Sequence, residues 1–375
     1  ADVAERGGAQ GGPGGPSSMA RPWDSDFDVC LERFVWDLFD ASGKDEAALN
    51  AAELRASQPR AGVCPNQWGS KDVAFRCLDC EMDSNCVQCA ECFFKASHEG
   101  HEVTIIRTEG GSCDCGDPSS WAPAGFCPEH CETPQRLDSE ECLDLLPTSL
   151  RRRAEVMVPE LVQQADLRLR QHALSREEDA SVKAQREQEV AALLATLQRL
   201  GEVAFGLRFL VVQQLQGDRL TTWIRAAAGQ LQALERFFLL YVQVSPSFKR
   251  TFAKAFVRMY EEIMEEAWEL SSLGIQFFTI PEVALELVAT EDAFCTILAA
   301  ADRYIGMLVD LKDDHVVFKP ESLTTEIVWE KLYSVLHAIG YLCFHTAVCG
   351  QILRTESTLE TVAEVLQLLW RMAPQ

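Results

Sequence analysis

Residues 77–93 read Cys77-Leu-Asp-Cys80-Glu-Met-Asp83-Ser-Asn85-Cys86-Val87-Gln-Cys89-Ala-Glu-Cys92-Phe93, with two Cys-x-x-Cys pairs, Cys77/Cys80 and Cys89/Cys92. Outward from this run lie Cys64 on one side and His98-x-x-His101, Cys113-Asp-Cys115 and Cys127-x-x-His130 on the other. Together they make eleven candidate metal ligands between Cys64 and His130. Tetrahedral zinc takes four Cys or His ligands, so eleven fill three sites only if one thiolate bridges two metals.

A disulfide framework is the competing explanation, because small secreted domains are cysteine-dense. Cys86 and Cys131 bring the local count to ten, an even number. Histidines at ligand spacing, the lack of a hydrophobic signal-type opening, and the helix-forming composition of the residues that follow all favour zinc. The segment has few aliphatic residues and buries little core of its own, so metal binding is expected to supply much of its folding free energy.

The spacing resembles the UBR box, the substrate-recognition domain of N-recognin E3 ubiquitin ligases. The resemblance runs from Cys64 to Cys131 and includes the 77–93 run and Ser112-Cys-Asp114-Cys-Gly116-Asp117. It implies a small, loop-rich zinc-bound domain with a two-metal cluster and a separate site. By resemblance, Cys77, Cys80, His98 and His101 hold the lone zinc. Cys64, Cys89, Cys92 and Cys113 hold one cluster metal. Cys92, Cys115, Cys127 and His130 hold the other, with Cys92 as the bridge. Cys86 matches a family cysteine that is not a ligand, and Cys131 has no assigned role. Two later stretches, 245–260 (SPSFKRTFAKAFVRMY) and 273–281 (LGIQFFTIP), are similar to parts of the long helical scaffold of large N-recognins.

The chain has 375 residues and a formal charge of −23, from 57 acidic and 34 basic side chains. That balance argues against nucleic acid, whose phosphates need clustered Lys and Arg. It suits a basic peptide end. The apolar runs, such as 209–212 and 237–242, are far too short to span a bilayer. The sequence starts with Ala and ends on a helix-like run, and is expected to be part of a longer protein.

Residues 1–22 are rich in Gly, Pro, Ala and Ser and are expected to be disordered. In 23–60, Phe27, Leu31, Phe34, Val35 and Leu38 recur at helical steps, with Ser42-Gly43 as the break. The zinc domain is placed at 61–133 and a mainly α-helical scaffold at 134–375, where Leu, Ala, Glu, Gln and Arg dominate. Helices are expected at 149–173, 186–214, 222–242, 247–270, 283–288, 291–309, 325–353 and 359–372. The breakers are Gly217-Asp218, Ser245-Pro246, Ile280-Pro281 and Lys319-Pro320. The charged stretch 175–189 reads as a solvated helical face.

Three aspartates stand beside the candidate ligands. Asp83 lies between the Cys-x-x-Cys pairs, and Asp114 and Asp117 flank Cys115-Gly116. The resemblance makes them a pocket for protein N-termini beginning with Arg, Lys or His. The chemistry agrees, since an N-terminal Arg presents an α-ammonium and a guanidinium, both best held by rigid, closely spaced carboxylates. The alternative is that these acids only orient ligands or face solvent. Asn85 stands where members commonly carry Thr, and Met82 and Ser84 are also unusual there, so a pocket with altered preference is expected. Trp68 and Val87 match positions lining the site for the second peptide residue, although Trp68 is equally suited to packing against the cluster.

Cys343-Phe-His345-Thr-Ala-Val-Cys349 imitates part of a RING finger, but no further Cys pairs lie nearby, and a buried helical segment is expected. Cys30, Cys142 and Cys295 read as small core or surface residues. His172, His315 and His337 have no companions at catalytic spacing. The expectation is the substrate-binding part of an E3 ubiquitin ligase in N-end rule degradation, cytoplasmic and also nuclear. Its RING and E2 partner would act through residues outside this chain, and no second, ClpS-like site is evident. A non-catalytic N-degron adaptor and a zinc-stabilised scaffold without degron affinity are the alternatives.

Overall fold

The computed structural model describes residues 26–174, 180–227, 232–312, 315–319, 323–354 and 363. The expected disordered stretch 1–22 lies outside them, as does the expected helix at 359–372 apart from residue 363.

Two helices precede the zinc segment. Helix α1 (Phe27–Phe39) begins where the Asp26 carboxylate accepts from the Val29 N–H, and buries Leu31, Leu38 and Phe39. Helix α2 (Lys44–Ser57) follows Gly43. The spacing of apolar residues does not reveal α2, because it is alanine-rich and buries only Ala47 and Leu54. Helix propensity, and Glu46 reaching back to the Ser42 N–H and hydroxyl, start it instead.

The zinc segment is loop-rich around one hairpin. Strand β1 (Gln67–Cys77) pairs antiparallel with β2 (Val103–Ser112), from Gln67↔Ser112 to Cys77↔Val103, with an irregularity between Ser70 and Val73. Between them lies the short helix α3 (Ala90–Lys95), which starts at Cys89.

Beyond residue 145 the chain is mainly helical: α4 (Thr148–Leu174), α5 (Ala180–Val203), α6 (Phe205–Gln214), α7 (Gly217–Ala227), α8 (Gln232–Val244), α9 (Pro246–Arg258) and α10 (Tyr260–Glu266). Then come α11 (Ile275–Phe278), α12 (Pro281–Thr290) and α13 (Ala293–Leu308). A small hairpin of β3 (Val309–Lys312) and β4 (His315–Phe318) precedes α14 (Leu323–Cys343) and α15 (Thr346–Ile352). The charged stretch begins outside the described residues, and 180–185 are exposed on α5, as a solvated face requires.

Four expected helices prove to be interrupted. The 186–214 helix breaks at Ala204, where half-buried Arg208 donates to the carbonyls of Gly201 and Val244 and so satisfies two helix ends. The 222–242 helix is two, α7 and α8, with 228–231 outside the described residues. The 247–270 helix breaks at Met259, and its last residues, 268–270, open a 3-10 turn, Trp268–Gly274. The 325–353 helix breaks after Cys343, where the His345 ring meets the Thr279 carbonyl at 2.6 Å. Local propensity does not signal the breaks at Ala204 and after Cys343; long-range partners for backbone groups there permit them.

The scaffold core is aromatic. Phe237, Phe238, Tyr241, Phe248, Phe252, Phe256, Phe277 and Phe278 are all fully buried, and their ring centroids sit 4.6–6.3 Å apart along α8, α9 and α11. This core packs α9 and α11 against each other. No single helix among the described residues is long and apolar enough to cross a membrane, although two bent pairs pass by length and composition.

Candidate zinc centre and acidic pocket

The hairpin register organises the ligands. Pairing Cys77 with Val103 folds His98 and His101, just before β2, back onto Cys77 and Cys80, just after β1. The ligand atoms of these four lie within 4.8 Å of one another. At the other end, Gln67 pairs with Ser112, which brings Cys64 beside Cys113. There Cys64, Cys89, Cys92 and Cys113 form a second tetrad. Cys92 recurs in a third with Cys115, Cys127 and His130.

The spacing suits a tetrahedral ion. Zinc–sulfur and zinc–nitrogen bonds at the tetrahedral angle place S and N about 3.5 Å apart. Cys77 Sγ is 3.3 Å from His101 Nδ1, Cys80 Sγ is 3.7 Å from His98 Nδ1, and Cys127 Sγ is 3.1 Å from His130 Nδ1. His98 turns its other nitrogen to the buried Gln88 side chain at 3.3 Å, which fixes the ring orientation. Backbone N–H groups of Cys89 and Cys127 donate to the sulfurs of Cys113 and Cys115 at 3.2 Å.

The donor set suits a cation, since thiolate and imidazole are the ligand types that zinc takes. Contacts with Cys113 and Cys115, with burial adding, push the Cys92 thiol far above its ordinary range. Burial first, then Cys64, does the same to Cys113. Divalent metal reverses this, because a coordinating thiol is deprotonated outright. Cys86 is buried outside the tetrads, and Cys131 is exposed.

The acids meet at one cavity of about 250 Å³, whose lining includes Asp83, Asn85, Val87, Asp114 and Asp117. Asp114 is clamped across the two loops: its N–H donates to the Val87 carbonyl at 2.9 Å, and its Oδ2 accepts the Val87 N–H at 2.6 Å. Burial drives its carboxyl up to about 8, the Val87 N–H opposes this, and the charges of Asp117 and Asp83 add to it. Asp83 Oδ1 accepts the Asn85 N–H at 2.7 Å, and Asp117 Oδ1 takes the Ser119 N–H and hydroxyl at 2.9 and 2.6 Å. Gly116 makes the turn possible. Its φ is +97°, and a Cβ there would stand 2.6 Å from the Gly62 carbonyl oxygen.

Trp68 is not brought to this cavity. It packs against the Cys64/Cys89/Cys92/Cys113 cluster, and its buried indole N–H has no hydrogen-bond partner. The RING-like stretch joins no ligand group among the described residues. It is also not the buried helix expected of it: Phe344 is exposed, and Cys343 and Cys349 straddle the break between α14 and α15. His172 stands 3.9 Å from Glu187, away from the tetrads and the acidic cavity. Cys142 is core, while Cys30 and Cys295 are half-buried.

Ligand spacing gives no hint that the scaffold takes part in the site. Lys249, Ile275, Gln276, Thr279 and Ile280 complete the cavity wall. Gln243 donates to the carbonyls of Cys64 at 2.6 Å and Cys113 at 2.9 Å. The available signal was the pair of stretches 245–260 and 273–281, which hold all five scaffold lining residues.

Residues 63–130 match the family described as a putative zinc finger in N-recognin, the UBR box. The chain is 30% identical over 279 residues to E3 ubiquitin-protein ligase PRT6 of Arabidopsis thaliana, an alignment covering 65% of this chain and 13% of that protein. It is 33% identical over 112 residues to human E3 ubiquitin-protein ligase UBR3, covering 30% and 6% respectively. It is 36% identical over 69 residues to mouse E3 ubiquitin-protein ligase UBR1, covering 18% and 4%. The chain thus spans about an eighth or less of the length of these curated relatives.

Proposed function

We propose, from the premise that residues 63–130 are a UBR box, that this chain is the substrate-reading part of an E3 ubiquitin ligase. In this reading it binds protein N-termini that begin with Arg, Lys or His. The observation that carries the reading is the convergence of Asp83, Asp114 and Asp117 on one small cavity beside two of the ligand tetrads. Three carboxylates in so little space repel one another, and an α-ammonium plus a side-chain cation relieves that repulsion. Arg suits them best, since its planar fork of donors matches paired carboxylates, whereas Lys offers a point charge. Asn85 and Val87 shape the rest of the wall, and we assign Trp68 to support of the cluster.

In the same reading Cys77, Cys80, His98 and His101 would hold one zinc ion, and the two tetrads that share Cys92 would hold two more, which would keep the acid-bearing loops rigid. The ions act by position and charge, holding carboxylates where an incoming cation needs no further rearrangement of the loops. Residues 61–133 then form the reader and 134–375 the platform on which it sits. Ubiquitin transfer falls to an E2 enzyme and a RING outside these residues, and we place the protein in the cytoplasm and nucleus.

Titration of the whole chain with peptides differing only in residue one tests the reading. Arg-starting peptides should bind best, Lys and His more weakly, and Gly-starting or N-acetylated ones not at all. Affinity independent of residue one would refute it and favour a zinc-stabilised scaffold.

A further inference from the structure

The cavity has a wall that the zinc finger does not supply. Lys249, on α9, brings Nζ to 3.6 Å from Asp117 Oδ2, with the two side chains only 9% and 18% exposed. The other Asp117 oxygen is already engaged by Ser119. An ammonium this sequestered needs an opposing charge. At 3.6 Å the pair is held by charge rather than by a fitted hydrogen bond. Across the cavity the scaffold contributes Ile275, Gln276, Thr279 and Ile280, which carry no charge. Lys249 is therefore the cavity's own cation, in a place where the proposed ligand brings two more.

We propose that Lys249 is a specificity-determining residue of the peptide site, a tethered cation that occupies Asp117 and leaves Asp83 and Asp114 to the ligand. This deepens the reading above and rests on it. With Lys249 in place, three carboxylates face three cations when Arg is the first residue: the tethered ammonium, the α-ammonium and the guanidinium. The tethered charge repels both ligand cations and removes one of their partners. It lowers affinity most for first residues carrying a side-chain cation and least for those offering only the α-ammonium. The scaffold thus sets how strongly the finger prefers basic ends.

The test uses the whole chain, with zinc content and melting temperature measured on every variant. Lys249→Met keeps the unbranched stem and removes the charge. It should tighten binding of an Arg-starting peptide roughly three- to tenfold, as expected for losing one like charge at a partly buried site. An otherwise identical Ala-starting peptide should change less than about twofold on the same argument. Lys249→Arg should keep the parent's values. The double variant Lys249→Met/Asp117→Asn should fall back towards the parent, because the gain comes from the freed carboxylate. If Lys249→Met loses zinc, Lys249→Gln takes its place. A charge-removing variant that retains zinc but binds Arg peptides no better than the parent overturns the role of Lys249 and leaves the peptide pocket standing. So does a gain that persists in the double variant. A parent and variant that both ignore residue one overturn the pocket and the proposal together.

Discussion

Gln243 donates a 2.6 Å hydrogen bond from its side-chain amide to the carbonyl of Cys64, 179 residues earlier in the chain. The same nitrogen reaches the Cys113 carbonyl at 2.9 Å, so one scaffold side chain grips the backbone of two cysteines in one tetrad. Gln243 is buried on α8, next to the aromatic core. The finger is therefore seated by hydrogen bonds to its ligand backbone, in addition to the contact at Lys249.

Gln243→Leu should destabilise this seating. It keeps the volume but leaves two buried carbonyls without their donor, which costs about 1–3 kcal/mol each. A lower melting temperature and faster zinc loss to a chelator should accompany it, with the zinc content of the untreated protein unchanged. Wild-type chelation kinetics in this variant would show that the contact carries no load.

Elemental analysis should find three zinc ions per chain, and chelation should unfold the finger, because ligand binding and folding are coupled there. Cys92→Ser should lose two ions, since Cys92 stands in two tetrads, whereas His101→Ala should lose one. Equal losses from both variants would contradict a bridge.

Asp83→Asn removes charge without changing shape. Truncating one side of a desolvated ion pair costs about 2–5 kcal/mol, so affinity for Arg-starting peptides should fall more than about tenfold. Zinc content should not move, because Asp83 belongs to no tetrad. Binding equal to the parent's would remove Asp83 from the pocket.

Gly116→Ala should disturb both halves of the site. Its Cβ would collide with the Gly62 backbone in a left-handed conformation, a strain of order 1–3 kcal/mol. The turn carries Asp114 and Asp117 on either side, so peptide affinity should fall together with melting temperature. Peptide binding that survives a lowered melting point would separate the turn from the pocket.

Much of the metal chemistry was legible because ligand chemistry is encoded in residue type and short spacing. Each Cys-x-x-Cys or His-x-x-His places its own pair within reach of one ion, and the structure gathers the eleven residues into the three groups that the resemblance implies. Other elements were less legible. Helix α2 lacks an apolar stripe, and the breaks at Ala204 and Phe344 involve partners distant in sequence, Val244 for Arg208 and Thr279 for His345.

The sequence by itself determined a cysteine- and histidine-rich segment followed by a helical one, and which acids stand next to candidate ligands. Those properties follow from composition, periodicity and spacing, all local along the chain. Only the tertiary structure decided what faces the acids. It seats the finger on α8, α9 and α11, turns Trp68 toward the cluster, and brings Lys249 to Asp117. A side chain 132 positions away carries no local mark of that meeting, because the acids and α9 lie far apart in the chain and meet only once the scaffold has folded.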